Sequence, residues 1–202
     1  APGSSEREAL KAALQKVASE RLDIPLVIGG KKVRTGKTFD VRMPHKHAHV
    51  LATLHQAEAS HVAEAIDAAT AAREDWGRMP FSDRAAIFLR AAELLSTKYR
   101  PLINAATMLG QSKTAVQAEI DSACEATDFL RFNVHYVQEL LAQQPESSPG
   151  VWNQMDYRPL DGFVLAIAPF NFTAIMVNLC TAPAMLGNTV LLKPAHTAAL
   201  SA

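Results

Sequence analysis

The chain has 202 residues, 49% of them hydrophobic, with twenty basic residues set against twenty acidic ones. That balance removes the electrostatic case for a nucleic-acid or anionic-membrane partner, and the apolar content suffices for a core of one or two domains. Two cysteines with no framework spacing, and no signal sequence, point to a reducing compartment.

In chain order, Glu6 to Glu20 reads as an amphipathic helix with Leu10, Ala13, Leu14 and Val17 inward. Pro25 to Val33 carries Gly29-Gly30 between apolar runs, a hairpin signal, and Phe39–Met43 and Val50–His55 continue as strands. His45, His47 and His49 alternate, so in an extended segment they share one side. Zinc favours imidazole, but no carboxylate or thiolate partner lies nearby in sequence, and no metal is assigned. Ala59–Trp76 is an Ala-rich helix, Ser82-Asp83 caps another running to about Tyr99, and Pro101 starts the next.

Lys113 to Ala142 reads as one long helix, with Val116, Ile120, Ala123, Ala126, Leu130 and Val134 as its buried face. Glu119 is expected as a solvated charge, with an ion pair to a neighbour as the alternative. Cys124 in this helix and Cys180 further on read as small core hydrophobes, since reactivity needs an accessible, electropositive site. Gly110 to Thr114 resembles the tail of a Walker A sequence but lacks its upstream glycine, so no phosphate loop is assigned. Gln144 to Asn153, rich in Pro, Ser and Gly, is the one clear linker.

From Phe163 through Leu192 there is no charge, which raises a membrane span as an alternative. Pro169, Asn171, Asn178, Pro183 and Asn188 interrupt the run, and its pattern is strand, helix, strand. Phe163–Ala168 suits a buried strand ending at Pro169, and Thr173–Leu186 a helix stopped by Gly187-Asn188. Thr189–Leu192 is a second buried strand closed by Lys193-Pro194. This is a βαβ unit with a parallel sheet, so the fold class is α/β. Its turn Pro169-Phe170-Asn171-Phe172 lies at the carboxyl end of a strand, where ligands bind in open parallel sheets. An asparagine satisfying its own turn is the plainer reading of Asn171 alone.

Ile167-x-Pro169-Phe170-Asn171-Phe172, followed by Ala182-Pro183-Ala184, Gly187-Asn188 and Lys193-Pro194, resembles the aldehyde dehydrogenase superfamily at the start of its cofactor domain. A second block, Thr107–Thr114, Gln117–Asp121 and Asp128–Asn133 with Tyr157–Gly162, resembles the Δ1-pyrroline-5-carboxylate dehydrogenase branch. The resemblance implies oxidation of a small-molecule aldehyde, glutamate γ-semialdehyde, to glutamate with NAD. It implies that Asn171 donates to the oxyanion formed when a cysteine thiolate attacks. Ile167, Ala168, Pro169, Phe170, Lys193, Pro194, Ala195 and His196 would meet the cofactor, and Glu125 and Phe172 the substrate. His196 stands where many NAD-preferring members carry a glutamate, so NADP is not excluded.

The family's nucleophilic cysteine and general-base glutamate lie downstream, and neither Cys124 nor Cys180 matches the former. The chain is therefore expected to be an N-terminal piece of a longer protein, inactive by itself. The alternatives are a non-catalytic cofactor-binding module and a helical interaction protein. The expected division is an N-terminal helix (1–23), a hairpin, strand and helical part (24–143), a linker (144–161) and the start of the cofactor sheet (162–202). The resemblance further implies a homo-oligomer for the complete protein. It implies the mitochondrial matrix in a eukaryote or the cytoplasm in a bacterium.

Overall fold

The computed structural model describes residues 2–202. Helix α1 (Ser5–Ser19) starts where the Ser4 hydroxyl accepts the Arg7 N–H, and Glu6 and Glu8 favour the positive end of its dipole. Val17 is buried on its inner face, and α1 packs against α4 (Arg100–Gln111). Strand β1 (Leu22–Ile24) pairs in parallel with β5 (Lys46–His55), which pairs antiparallel with β4 (Thr38–Met43). Strands β2 (Leu26–Ile28) and β3 (Lys31–Val33) form the expected hairpin, turning through Gly29 and Gly30 at positive φ.

The histidine alternation does not survive. Partners jump from Arg42–Val50 to Met43–Lys46, so His47 and His49 sit in a bulge and His45 precedes the strand. A bulge breaks the two-residue period on which a shared face depends. His45 instead places Nδ1 2.8 Å from the Ser112 hydroxyl.

Helices α2 (Ala59–Arg78) and α3 (Phe81–Ser96) follow. Ser82-Asp83 does not cap α3: the helix opens one residue earlier, behind Pro80, and Ser82 turns to its neighbour Asp83 instead. It also stops at Ser96, short of Tyr99.

The single helix expected from Lys113 is three joined pieces: α5 (Ala115–Ala118), a π-helical segment (Glu119–Glu125) and α6 (Ala126–Ala142). Thr114 and Gln117 form a capping box, which leaves Lys113 outside the helix. Val116 and Ile120, expected inside, are 68% and 60% exposed. The wider π turn accommodates an extra residue, so the inward face upstream shifts to Ala118, Asp121 and Ser122. Downstream, Ala123, Ala126 and Leu130 are buried as expected. Leu130 joins Phe88, Ala92, Val137 and Met185 in the main core. Cys124 is exposed, which corrects its reading as a core residue.

Strand β6 (Val164–Ile167), helix α7 (Thr173–Met185) and strand β7 (Val190–Lys193) form the βαβ unit, with parallel pairing from Val164–Val190 to Ile167–Lys193. The strands were expected to be buried on both faces. Only one is covered: Ala166 is buried, while Leu165 and Ile167 are 58% and 60% exposed. Helix α7 packs against the pair and α2 reaches β7, yet the β6 side that carries Leu165 and Ile167 stays open. At 13 residues α7 is too short to span a bilayer, and among the described residues no helix is long and apolar enough to do so.

Candidate active site

The parallel register sets Ile167 beside Lys193, and the Ala168 N–H donates to the Lys193 carbonyl at 3.1 Å. Both strands therefore leave the sheet at the same end. From β6 emerges the Pro169–Phe172 turn; from β7, Pro194-Ala195. Pro169 cannot extend the ladder because it has no N–H.

Helix α7 needs partners for its first N–H groups, and Phe172, at its cap, has no side-chain acceptor to offer. Asp121 supplies them from the π segment. Its carboxylate accepts the Thr173 N–H at 3.0 Å and the Ala174 N–H at 2.8 Å. Lys113 Nζ completes the set, 2.7 Å from the same carboxylate, whose side chain is only 2% exposed. The Lys113 ammonium also lies 4.2 Å from the centroid of the Phe172 ring, a cation–π contact.

Beside this cap the Thr173 hydroxyl lies 3.1 Å from that of Thr107 and accepts from Gln111 Nε2 at 2.9 Å. Gln111 Nε2 also reaches the Ser201 hydroxyl at 2.8 Å. The α4 end, with Ser112 at φ 55°, thus holds the turn from behind.

A cavity of about 470 Å³ opens here, lined by Asn171, Phe170, Lys113, Gln111, Arg42 and Phe39 among others. The larger cavity, about 830 Å³, lies apart, around Arg100 and Glu119 against α1. Glu119 is not the solvated charge expected but half-buried, accepting from Arg100 and from Asn104 Nδ2 at 2.6 Å. Burial pushes its carboxyl up, but the hydrogen bonds from Arg100 and Asn104 outweigh this and hold it below the usual carboxylate value.

Asn171 and Phe170 are exposed and line the smaller cavity. Phe172 is 42% exposed beneath Lys113. Ile167, Pro169 and Lys193 lie exposed at the sheet end, Ala168 is buried, and Pro194 and Ala195 are half-buried. His196 opens a short 3₁₀ turn and packs edge-to-face on Phe39 at 4.6 Å. Glu125 is half-buried at the end of the π segment and does not line the Asn171 cavity. Asn171 and Phe170 thus share one cavity, whereas Lys193 and Glu125 do not line it.

Neither thiol is activated. Burial and then Glu119 push the Cys124 thiol up, and burial pushes up that of Cys180, which donates to the Val177 carbonyl. Sequence reasoning missed Asp121 and Lys113 as a unit. The one signal is Phe172, a residue unable to cap the helix it precedes, which calls for an outside acceptor without naming it.

The chain matches the aldehyde dehydrogenase family over residues 32–202. It is 52% identical to the probable delta-1-pyrroline-5-carboxylate dehydrogenase of Schizosaccharomyces pombe, covering 99% of this chain and 37% of that protein. It is 49% identical to the mitochondrial human delta-1-pyrroline-5-carboxylate dehydrogenase, covering 98% of this chain and 35% of that one. It superimposes with a TM-score of 0.97 on the Mycobacterium tuberculosis Delta-pyrroline-5-carboxylate dehydrogenase bound with NAD, at 53% identity, covering all of this chain and 38% of that one. The chain therefore spans between a third and two-fifths of the length of these relatives. The family match extends through the Asn171 turn and Lys193, and on it this chain belongs to the aldehyde dehydrogenase family.

Proposed function

We propose that these residues are the N-terminal part of an NAD-dependent enzyme that oxidises L-glutamate γ-semialdehyde, formed from Δ1-pyrroline-5-carboxylate, to glutamate. The observation that carries this reading is the Asn171 turn at the carboxyl end of the β6–β7 pair, beside Lys193, in a chain so similar to pyrroline-5-carboxylate dehydrogenases.

Asn171 presents an exposed carboxamide at the end of a strand, just ahead of a helix clamped by Asp121. Its N–H donors suit a developing oxyanion, because a fixed dipole stabilises that charge without reorganising. The attacking thiolate and the general base are assigned outside these residues, consistent with the raised thiols of Cys124 and Cys180. Phe172 offers an apolar surface to the substrate chain, and Glu125 a carboxylate to its ammonium or ring nitrogen.

The sheet end fits a dinucleotide. Lys193 is an exposed ammonium suited to ribose hydroxyls, and the exposed Ile167 presents an apolar face beside it. Ile167 to Phe170 and Lys193 to His196 would hold NAD, which when bound supplies the hydride acceptor. His196, lying on Phe39, brings no carboxylate to repel a 2′-phosphate, so use of NADP is part of the proposal's test.

In this reading residues 162–202 begin the cofactor sheet, 144–161 link to it, and the complete protein is a homo-oligomer. Its compartment would be mitochondrial in a eukaryote, as for the human relative, and cytoplasmic in a bacterium. The uncovered face around Leu165 and Ile167 favours a second reading for the chain on its own, an interaction module.

The test is turnover by the full-length protein. NADH formation dependent on L-glutamate γ-semialdehyde supports the proposal. Oxidation of other aldehydes but not this one overturns its substrate, and no NAD(P) reduction with any aldehyde favours the module.

A further inference from the structure

We propose that Asp121 is a positioning residue for Asn171, acting through the first turn of α7; this rests on the reading of Asn171 as the oxyanion donor. Three donors converge on the buried Asp121 carboxylate: the Thr173 and Ala174 N–H groups and Lys113 Nζ. Two belong to the residues that immediately follow Asn171-Phe172. The third belongs to the side chain that lies over Phe172.

The clamp thus fixes the backbone two residues after Asn171 and the ring one residue after it. Asp121 sits on the π segment, which packs against both α4 and α7, so its place is set by two helices. The π turn is what points it inward: on the regular spacing, Ile120 would have taken that side.

The chemistry explains why position matters. An oxyanion donor works only within hydrogen-bond distance of where the charge forms, and a misplacement of about 1 Å can cost on the order of 10²-fold in rate. Without Asp121, the first N–H groups of α7 lose their acceptor, and the side-chain hydrogen bonds left at this helix end are those of the Thr173 hydroxyl with Thr107 and Gln111. The Phe172 ring, assigned to the substrate, is held by the same clamp, so KM rises as well, and the part of the loss that belongs to Asn171 is the fall in kcat that depends on its carboxamide.

The experiment is a double-mutant cycle in the full-length protein, reading kcat and KM for L-glutamate γ-semialdehyde. Asp121→Asn is combined with Lys113→Met so that no ammonium is left buried alone, and this pair is crossed with Asn171→Ala. The expected result is a kcat lowered about 10-fold by the pair, and no further loss of kcat from the pair once Asn171 is alanine.

An equal loss in both backgrounds overturns the proposal while leaving the Asn171 reading intact. An Asn171→Ala protein with full kcat overturns both. If the pair does not fold, Asp121→Asn alone replaces it in the same cycle, since the carboxamide keeps one acceptor for the two N–H groups. An Asp121→Asn loss of kcat that persists in the Asn171→Ala background then overturns the proposal equally.

Discussion

Lys113 and Asp121 form a buried ion pair, 2.7 Å between Nζ and Oδ2, with side chains 15% and 2% exposed. Removing one member of such a pair strands the other. Lys113→Met is therefore expected to destabilise the full-length protein by about 3 kcal/mol, measured by chemical denaturation. A change below about 1 kcal/mol would show that the site is open to water and its charges screened.

Lys193 is exposed at the sheet end beside Ile167, and its proposed ligands are the ribose hydroxyls of NAD. Lys193→Ala is expected to weaken NAD binding about 10-fold, from the loss of a charge-assisted hydrogen bond, with the aldehyde KM little changed. Calorimetric titration of NAD checks it. An effect confined to the aldehyde contradicts the assignment.

Glu119 titrates in the folded protein below its ordinary value of 4.5. A carboxyl with a lowered folded pKa contributes stability that is complete above its unfolded value and is lost as pH falls through the folded one. Stability is thus expected to drop as pH descends below 4.5, with Arg100 and Asn104 losing their acceptor. Glu119→Gln flattens that part of the pH profile of the denaturation midpoint. An unchanged slope in the variant assigns the acid sensitivity to other carboxylates.

Gly187 ends α7 at φ +90°, and a Cβ there would stand 2.9 Å from Cγ of Pro159. Gly187→Ala combines a left-handed backbone with that clash, and is expected to destabilise by about 1–2 kcal/mol. The melting temperature checks it. A value equal to the wild type would mean that the 158–160 segment yields freely.

The βαβ unit was legible because each boundary has a local cause. Pro169 ends β6, Gly187-Asn188 ends α7, and the alternation of strand and helix is contiguous. Asn171 and Lys193 therefore lie where this pattern puts them, at the carboxyl end of the strands. The π segment was not legible, since a widened turn leaves no residue-type signature. Val116 and Ile120 are as apolar as any core residue, yet they face water.

Asp121 was invisible for a different reason. Its partners Thr173 and Ala174 lie more than fifty residues away, and no local pattern encodes such a contact. The bare side of β6 was missed because a continuous apolar run reads as buried on both faces, whereas the described residues cover one.

On the proposed function, the Asn171 carboxamide stabilises the transition state of aldehyde oxidation. Steady-state turnover of L-glutamate γ-semialdehyde by the full-length protein and its Asn171→Ala variant decides it. The variant's kcat is expected to fall about 10²-fold to 10³-fold with KM little changed. An unchanged kcat would remove Asn171 from the mechanism.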